Sequence, residues 1–147
     1  MRVILLGYSG LIGGHILSEL AKNVKKNPNL DVICVGRNIR NQPYKNNKIK
    51  YVKWNFLDFN KLKLSFFKKE NIIINCIGKN YSNSENLKKI NVLFINKLLR
   101  YIQYNQIIVR FIHLGSVSVY GAEKKYINKI ENIKENSQTY PDDLYSK

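Results

Sequence analysis

The sequence predicts an α/β fold built on a doubly wound parallel sheet, and three observations point to it. Short apolar runs rich in β-branched residues recur at 3–6, 31–35, 49–54, 71–78 and 107–114. Between them, 11–25 and 84–104 carry apolar residues at the helical period instead, and strands alternating with helices in this way argue parallel pairing through crossovers. The first run also breaks into glycines at 7, 10 and 13, the signature of a tight passage from strand to helix.

Each element follows from local chemistry. After Val3-Ile4-Leu5-Leu6 comes Gly7-Tyr8-Ser9-Gly10-Leu11-Ile12-Gly13-Gly14. Gly7 lets the chain turn sharply off the strand, Gly10 lets backbone N–H groups approach a pyrophosphate, and Gly13 lets the helix pack closely on the sheet. Such a trio alone also fits an ordinary tight turn. Ile12, Ile16 and Leu20 recur at spacing four with Leu17, Ala21 and Val24 beside them, which marks an amphipathic helix that Asn27-Pro28-Asn29 ends. Asp31-Val32-Ile33-Cys34-Val35 is a second buried strand, closing at Gly36-Arg37-Asn38, and polar 38–48 with Pro43 is a loop. The third strand, 49–54, leads into a helix whose apolar side is Phe59, Leu62 and Phe66. The fourth ends on Gly78, and Leu87, Ile90, Phe94, Leu98, Tyr101 and Ile102 then give the longest helix its packed face before the fifth strand. Right-handed crossovers bring the ends of strands one, two and four to one crevice, where the glycine turn, Arg37 and Gly78 meet. The polar, lysine-rich stretch 122–140 is expected to loop over it.

A chain of 147 residues fits one domain with a real core. No run approaches the roughly 18 apolar residues of a membrane span, and the short apolar start is no signal peptide, so a cytoplasmic protein without a membrane partner is expected. Cys34 and Cys76 lie in apolar runs with no Cys/His cluster near them, which excludes a metal centre from the expected chemistry. A formal charge of +15 invites a nucleic-acid partner. Lysine outnumbers arginine 20 to 5, however, and asparagine and isoleucine stand at 20 and 19, all residues that A/T-rich codons supply. The lysines are scattered without aromatic interleaving, so the charge reads as a solvated surface, and no nucleic-acid partner is expected.

Four motifs in order carry a resemblance over the whole chain. They are the glycine turn, Asn75-Cys76-Ile77-Gly78, His113-Leu114-Gly115-Ser116-Val117-Ser118-Val119-Tyr120-Gly121, and Pro141-Asp142-Asp143-Leu144-Tyr145-Ser146-Lys147. Together they resemble the extended short-chain dehydrogenase/reductase superfamily, in its NAD-dependent epimerase/dehydratase group, which commonly acts on nucleotide sugars. The resemblance implies a Rossmann-like NAD(P)-binding domain over 1–147, with helices on both faces of the sheet. It implies that Gly7, Gly10 and Gly13 hold the pyrophosphate with backbone donors from Ser9, Leu11 and Ile12, and that Cys76, Ile77 and Gly78 border the cofactor. Arg37 stands where an acidic residue would bind a ribose 2′-hydroxyl, and an arginine there suits a 2′-phosphate, which favours NADP over NAD as cofactor; a solvent-exposed loop charge is the plainer reading. Asn55, with Phe56 after it, lies where the family often has an aspartate that contacts adenine, although Asn55 equally suits a turn. Asp58 reads as a helix cap.

Ser116 and Tyr145 match the catalytic serine and tyrosine. In that chemistry hydride passes to or from nicotinamide while a proton moves at the substrate oxygen, and a phenol with a pKa near 10 is a poor base at neutral pH. A nearby lysine ammonium lowers that pKa, and serine fixes the substrate oxygen. The sequence departs from the family here, because the lysine position four after Tyr145 would be 149 and the sequence runs to Lys147. Lys147, two residues on, faces away on a helix. The resemblance therefore implies an amino-terminal portion, truncated before the last strand and the substrate lobe, and these 147 residues are expected to show no appreciable dehydrogenase activity. The function implied is an NAD(P)-dependent oxidoreductase, epimerase or dehydratase acting on a nucleotide sugar, with a homodimer open for the longer form; a non-catalytic dinucleotide-binding sensor or remnant is the alternative. Asn91 matches a position where the superfamily often keeps an asparagine near the site, and Tyr120 one that lines the substrate side, with solvation and packing as their plainer roles. His15 and His113 read as structural.

Overall fold

The computed structural model describes residues 1–56, 58, 64–67, 70–80, 83–121, 133–141 and 145–146. Strands β1 (Arg2–Leu6), β2 (Asp31–Gly36), β3 (Ile49–Lys53), β4 (Asn71–Asn75) and β5 (Val109–His113) form one sheet in the order β3-β2-β1-β4-β5. Every pairing is parallel, with Ile4 opposite both Ile33 and Ile73. From β1 the chain first builds outward through β2 and β3, then returns to lay β4 and β5 on the other side. The order thus reverses between β1 and β4, and at such a point the loops at the carboxyl ends of the strands part to leave a crevice.

Burial on both faces explains why the strands read as continuous apolar runs. On one face Val3, Leu5, Val32 and Cys34 meet Leu17, Ala21 and Val24 of helix α1 (Leu11–Lys26). On the other, Ile4, Leu6, Ile33, Val35 and Ile73 pack under Phe94, Leu98 and Ile102 of α3 (Phe94–Tyr104), with Trp54 closing the layer. Each Val, Leu, Ile or Phe among them contributes about 1.5–3 kcal/mol on burial. Helices on both faces are therefore observed as the sequence predicts. None of the described helices is long and apolar enough to cross a membrane.

Four expectations need correction or fall outside the described residues. The fourth strand stops at Asn75 rather than Gly78, because β1 has turned away at Gly7: Cys76 N–H makes one last bond to the Leu6 carbonyl at 2.9 Å, and Ile77 N–H turns to the Asn75 side chain. The long helix of 84–104 is interrupted: α2 (Ser84–Leu87) widens into a π-helical stretch, Lys88–Leu93, before α3 resumes. Phe66 lies in a short 3₁₀ turn, Leu64–Phe66, while Phe59 and Leu62 lie outside the described residues, as do Lys147 and most of the loop expected at 122–140. Its described part, from 133, lies against the 3₁₀ turn Val117–Tyr120, with Tyr140 N–H donating to the Val119 carbonyl at 2.9 Å, and borders neither cavity described below.

Candidate functional site

The glycine turn is set by two close approaches. Gly7 has φ +82°, a left-handed conformation that side chains disfavour, and it carries the chain off β1 while Gly10 N–H closes a turn onto its carbonyl at 3.1 Å. Gly13 lies directly beneath: a Cβ there would stand 2.2 Å from the Gly7 carbonyl oxygen and 2.9 Å from Tyr8 Cα. The spacing of three thus serves helix-to-strand contact. Gly10 caps α1 without a side-chain hydrogen bond, and the first turn holds no acidic residue, so the helix presents backbone N–H groups and its positive dipole end.

This turn borders a cavity of about 470 Å³. Gly7, Ser9 and Gly10 form one side, Arg37 the β2 end, Asn55 and Phe56 the β3 end, and Cys76, Ile77 and Gly78 the β4 end. Nine of the predicted cofactor residues are thus brought together. The other three stand apart: Leu11 and Ile12 are exposed on the first turn of α1, and Gly13 is buried behind it, so none borders the cavity. Arg37 and Lys79 are its cations, and no carboxylate borders it among the described residues. Phe56 meets Trp54 and Phe94 at ring distances of 5.6 and 5.5 Å, which makes a rigid aromatic wall. The Asn55 carbonyl accepts from Asp58 N–H at 2.8 Å, a turn contact. The helix that Asp58 was to cap lies outside the described residues.

A second cavity, of about 610 Å³, adjoins the first across Ile77 and Gly78. Ser116 and Tyr145 both border it, together with His113, Asn91 and Lys88. Ser116 Oγ accepts from Ser118 N–H at 3.2 Å and from the Ser118 hydroxyl at 2.8 Å. The two contacts fix the position of the Ser116 oxygen at the cavity edge. Tyr120 stands away from this cavity, its hydroxyl near the Glu135 carbonyl, and His15 is exposed on α1.

The model of the NAD dependent epimerase/dehydratase family matches residues 3–147. The chain belongs to that family. Among solved structures it is similar to UDP-glucuronic acid 4-epimerase from Bacillus cereus in complex with NAD, at 20% identity and TM-score 0.71, over 99% of this chain and 47% of that one. It is similar to uronate dehydrogenase from Agrobacterium tumefaciens at 15% identity and TM-score 0.69, covering 99% and 50%. The Bordetella bronchiseptica enzyme WbmH in complex with NAD+ matches at 16% identity and TM-score 0.71, covering 99% and 48%. At these identities the likeness is one of fold, and the chain spans about half the length of these structures. No curated protein matches it.

Within this epimerase/dehydratase domain three residues hold the site together, and of these sequence reasoning passed over Tyr8 and the role of Asn75. Tyr8, buried inside the glycine turn, donates to the Asn38 and Asn41 carbonyls at 3.2 and 3.0 Å and so ties that turn to the loop carrying Arg37. Burial pushes its phenol up from the ordinary value, and the Cys34 thiol and Tyr51 add to this, so it stays a neutral donor. Asn91, weighed between a place near the site and a solvated helix position, borders the second cavity and forms a reciprocal amide pair with Lys79: it accepts from the N–H at 2.9 Å and donates to the carbonyl at 2.8 Å. Its place in the π-helical stretch is what lets it reach the loop after β4. Asn75 is fully buried and bonds to Ile77 and His113. An asparagine inside an apolar strand run was the available signal. The cysteines offer no nucleophile: burial pushes the Cys34 thiol up to about 12 and raises that of Cys76.

Proposed function

We propose that this domain binds a nicotinamide dinucleotide along the first cavity, with its nicotinamide end passing Gly78 into the second, where the reacting carbon of a nucleotide sugar would lie. One observation carries the reading: a helix N-terminus without a side-chain cap, two cations and no described carboxylate converge on one crevice, as a dianionic pyrophosphate requires. Arg37 at the end of β2, with no acid beside it in the cavity, supports NADP(H) over NAD(H). That the similar structures include a UDP-glucuronic acid 4-epimerase and a uronate dehydrogenase supports the substrate class, and that the epimerase and WbmH are named in complex with NAD supports the cofactor type.

A bound nicotinamide would accept or supply the hydride. Ser116, its oxygen placed by the Ser118 contacts, would hold the substrate oxygen, and Tyr145 in the same cavity would take or return its proton. A phenol of pKa near 10 needs a neighbouring cation to serve as a base at neutral pH. Thermal unfolding with NADPH and with NADH tests the binding half. Stabilisation of about 2.7 kcal/mol is expected at a concentration a hundredfold above Kd. If neither dinucleotide shifts the transition, the reading is wrong.

A further inference from the structure

Asn75 and His113 stand opposite each other at the ends of β4 and β5, where the Leu114 N–H donates to the Asn75 carbonyl at 3.3 Å. The Asn75 side chain is fully buried, and its orientation follows from its neighbours. The Ile77 N–H lies 3.2 Å from Oδ1, and a backbone N–H can only donate, so the atom facing it must be the amide oxygen. Nδ2 is then the atom 3.3 Å from the Ile77 carbonyl and 2.9 Å from His113 Nδ1. An amide nitrogen donates, so His113 Nδ1 must accept. In a neutral imidazole with one accepting nitrogen, the other nitrogen carries the proton.

We infer that Asn75 is a positioning residue that holds His113 in its Nε2–H form, as a fixed neutral donor to an acceptor oxygen of the ligand in the second cavity. The ring is steadied from a second side by Phe111, with which it stacks at 14° and 6.2 Å. Nδ1 is turned toward β4, which leaves Nε2 on the far side of the ring, and the ring borders the cavity that Ser116 and Tyr145 share. The ligand would therefore meet the His113 donor, whose proton is set by Asn75 behind it, beside the Ser116 hydroxyl. A neutral donor there matches an uncharged sugar oxygen. The ligand half of this inference rests on the proposed nucleotide-sugar reading.

The chain contains two histidines, so its imidazole nitrogen spectrum is readily assigned with a His15→Gln variant. On the ¹⁵N-labelled chain at mildly alkaline pH, His113 should show an unprotonated Nδ1. It should also show a through-hydrogen-bond coupling between Nδ1 and Asn75 Nδ2. Asn75→Asp replaces the donor by an acceptor and should place a proton on Nδ1. A protonated Nδ1 in the unsubstituted chain, or an unprotonated one in a folded Asn75→Asp chain, overturns the inference. UDP-glucuronic acid added with NADPH should shift Nε2 together with the Gly115 and Ser116 amides. Movement of those amides without Nε2 overturns the donor role and leaves the substrate reading intact, whereas no response in either cavity overturns the substrate reading and the donor role with it.

Discussion

The neighbouring glycines 13 and 14 give the sharpest test of the site's foundation, because alanine should have opposite effects at the two. At Gly13 the new Cβ would stand 2.2 Å from the Gly7 carbonyl oxygen, where ordinary contact begins at 3.4 Å, and the other near atoms, at 2.9 Å, are also backbone. No flexible side chain can yield, so α1 must withdraw from β1 by about 1 Å, an overpacking that costs about 1–3 kcal/mol. Alanine's helix preference returns about 0.5–1 kcal/mol. A net loss centred on about 1 kcal/mol and reaching about 2.5 kcal/mol remains, which at this chain length lowers Tm by up to about 10 °C. At Gly14 the nearest atom would be the Tyr8 carbonyl oxygen at 3.8 Å, an ordinary contact. There the helix preference acts alone, and Tm should rise by about 1–4 °C. Thermal and urea unfolding followed by circular dichroism read both. The withdrawn helix should also lose much of the NADPH-induced stabilisation, while Gly14→Ala keeps it. Equal shifts of the same sign, or a Gly13→Ala chain as stable as the parent, would refute the close approach on which this account of the turn depends.

Three further outcomes follow from the same geometry. Arg37→Ala should weaken NADPH about ten- to hundredfold, the worth of a charge-assisted bond, and leave NADH unchanged; if parallel titrations show equal losses, the 2′-phosphate assignment fails. Tyr8→Phe removes the donor to the Asn38 and Asn41 carbonyls and should cost about 1–2 kcal/mol in urea unfolding, with faster amide exchange in the Arg37 loop; unchanged exchange there would show that Tyr8 does not tie the two loops. Burial raises the Cys34 pKa from 9.0 to about 12, so the folded form favours the neutral thiol. That contribution is complete below pH 9 and is lost as pH rises toward about 12, so Cys34→Ala should flatten the alkaline fall in stability. A variant whose alkaline limb matches the parent's would remove this role.

Much of the sheet was legible because residues buried on both sides leave an unbroken apolar run, as Val32 to Val35 do. The end of β4 was not, since the apolar run continues through Cys76 and Ile77 while the partner strand has already turned at Gly7. Hydropathy records burial and says nothing of where a neighbour stops. The π-helical stretch was hidden for a related reason: Leu87, Ile90 and Phe94 keep helix-like spacing although the turn between them is wider. In the site, Gly7 and Gly13 were readable because backbone geometry admits few alternatives. Tyr8 and Asn75 were not, because their partners lie 30 to 38 positions away in the chain, and only the assembled crossovers bring them near.

Gly78 separates what the fold requires from what its ligand requires. The segment that divides the two cavities is pinned at both ends, by Asn75 at Ile77 and by Asn91 at Lys79. Gly78 sits between those clamps and borders both cavities, yet a Cβ built on it meets nothing within 4 Å. No steric demand of the protein therefore keeps glycine there, in contrast with Gly13. A side chain at 78 would project into open space beside the junction, where a dinucleotide passing from one cavity to the other must run. Gly78→Val should leave unfolding within about 0.5 kcal/mol of the parent, as for a surface substitution, while NADPH stabilisation falls sharply. Should Gly78→Val bind NADPH as the parent does, the dinucleotide does not cross between the cavities at this point, and the assignment of the second cavity to the nicotinamide and substrate loses its support.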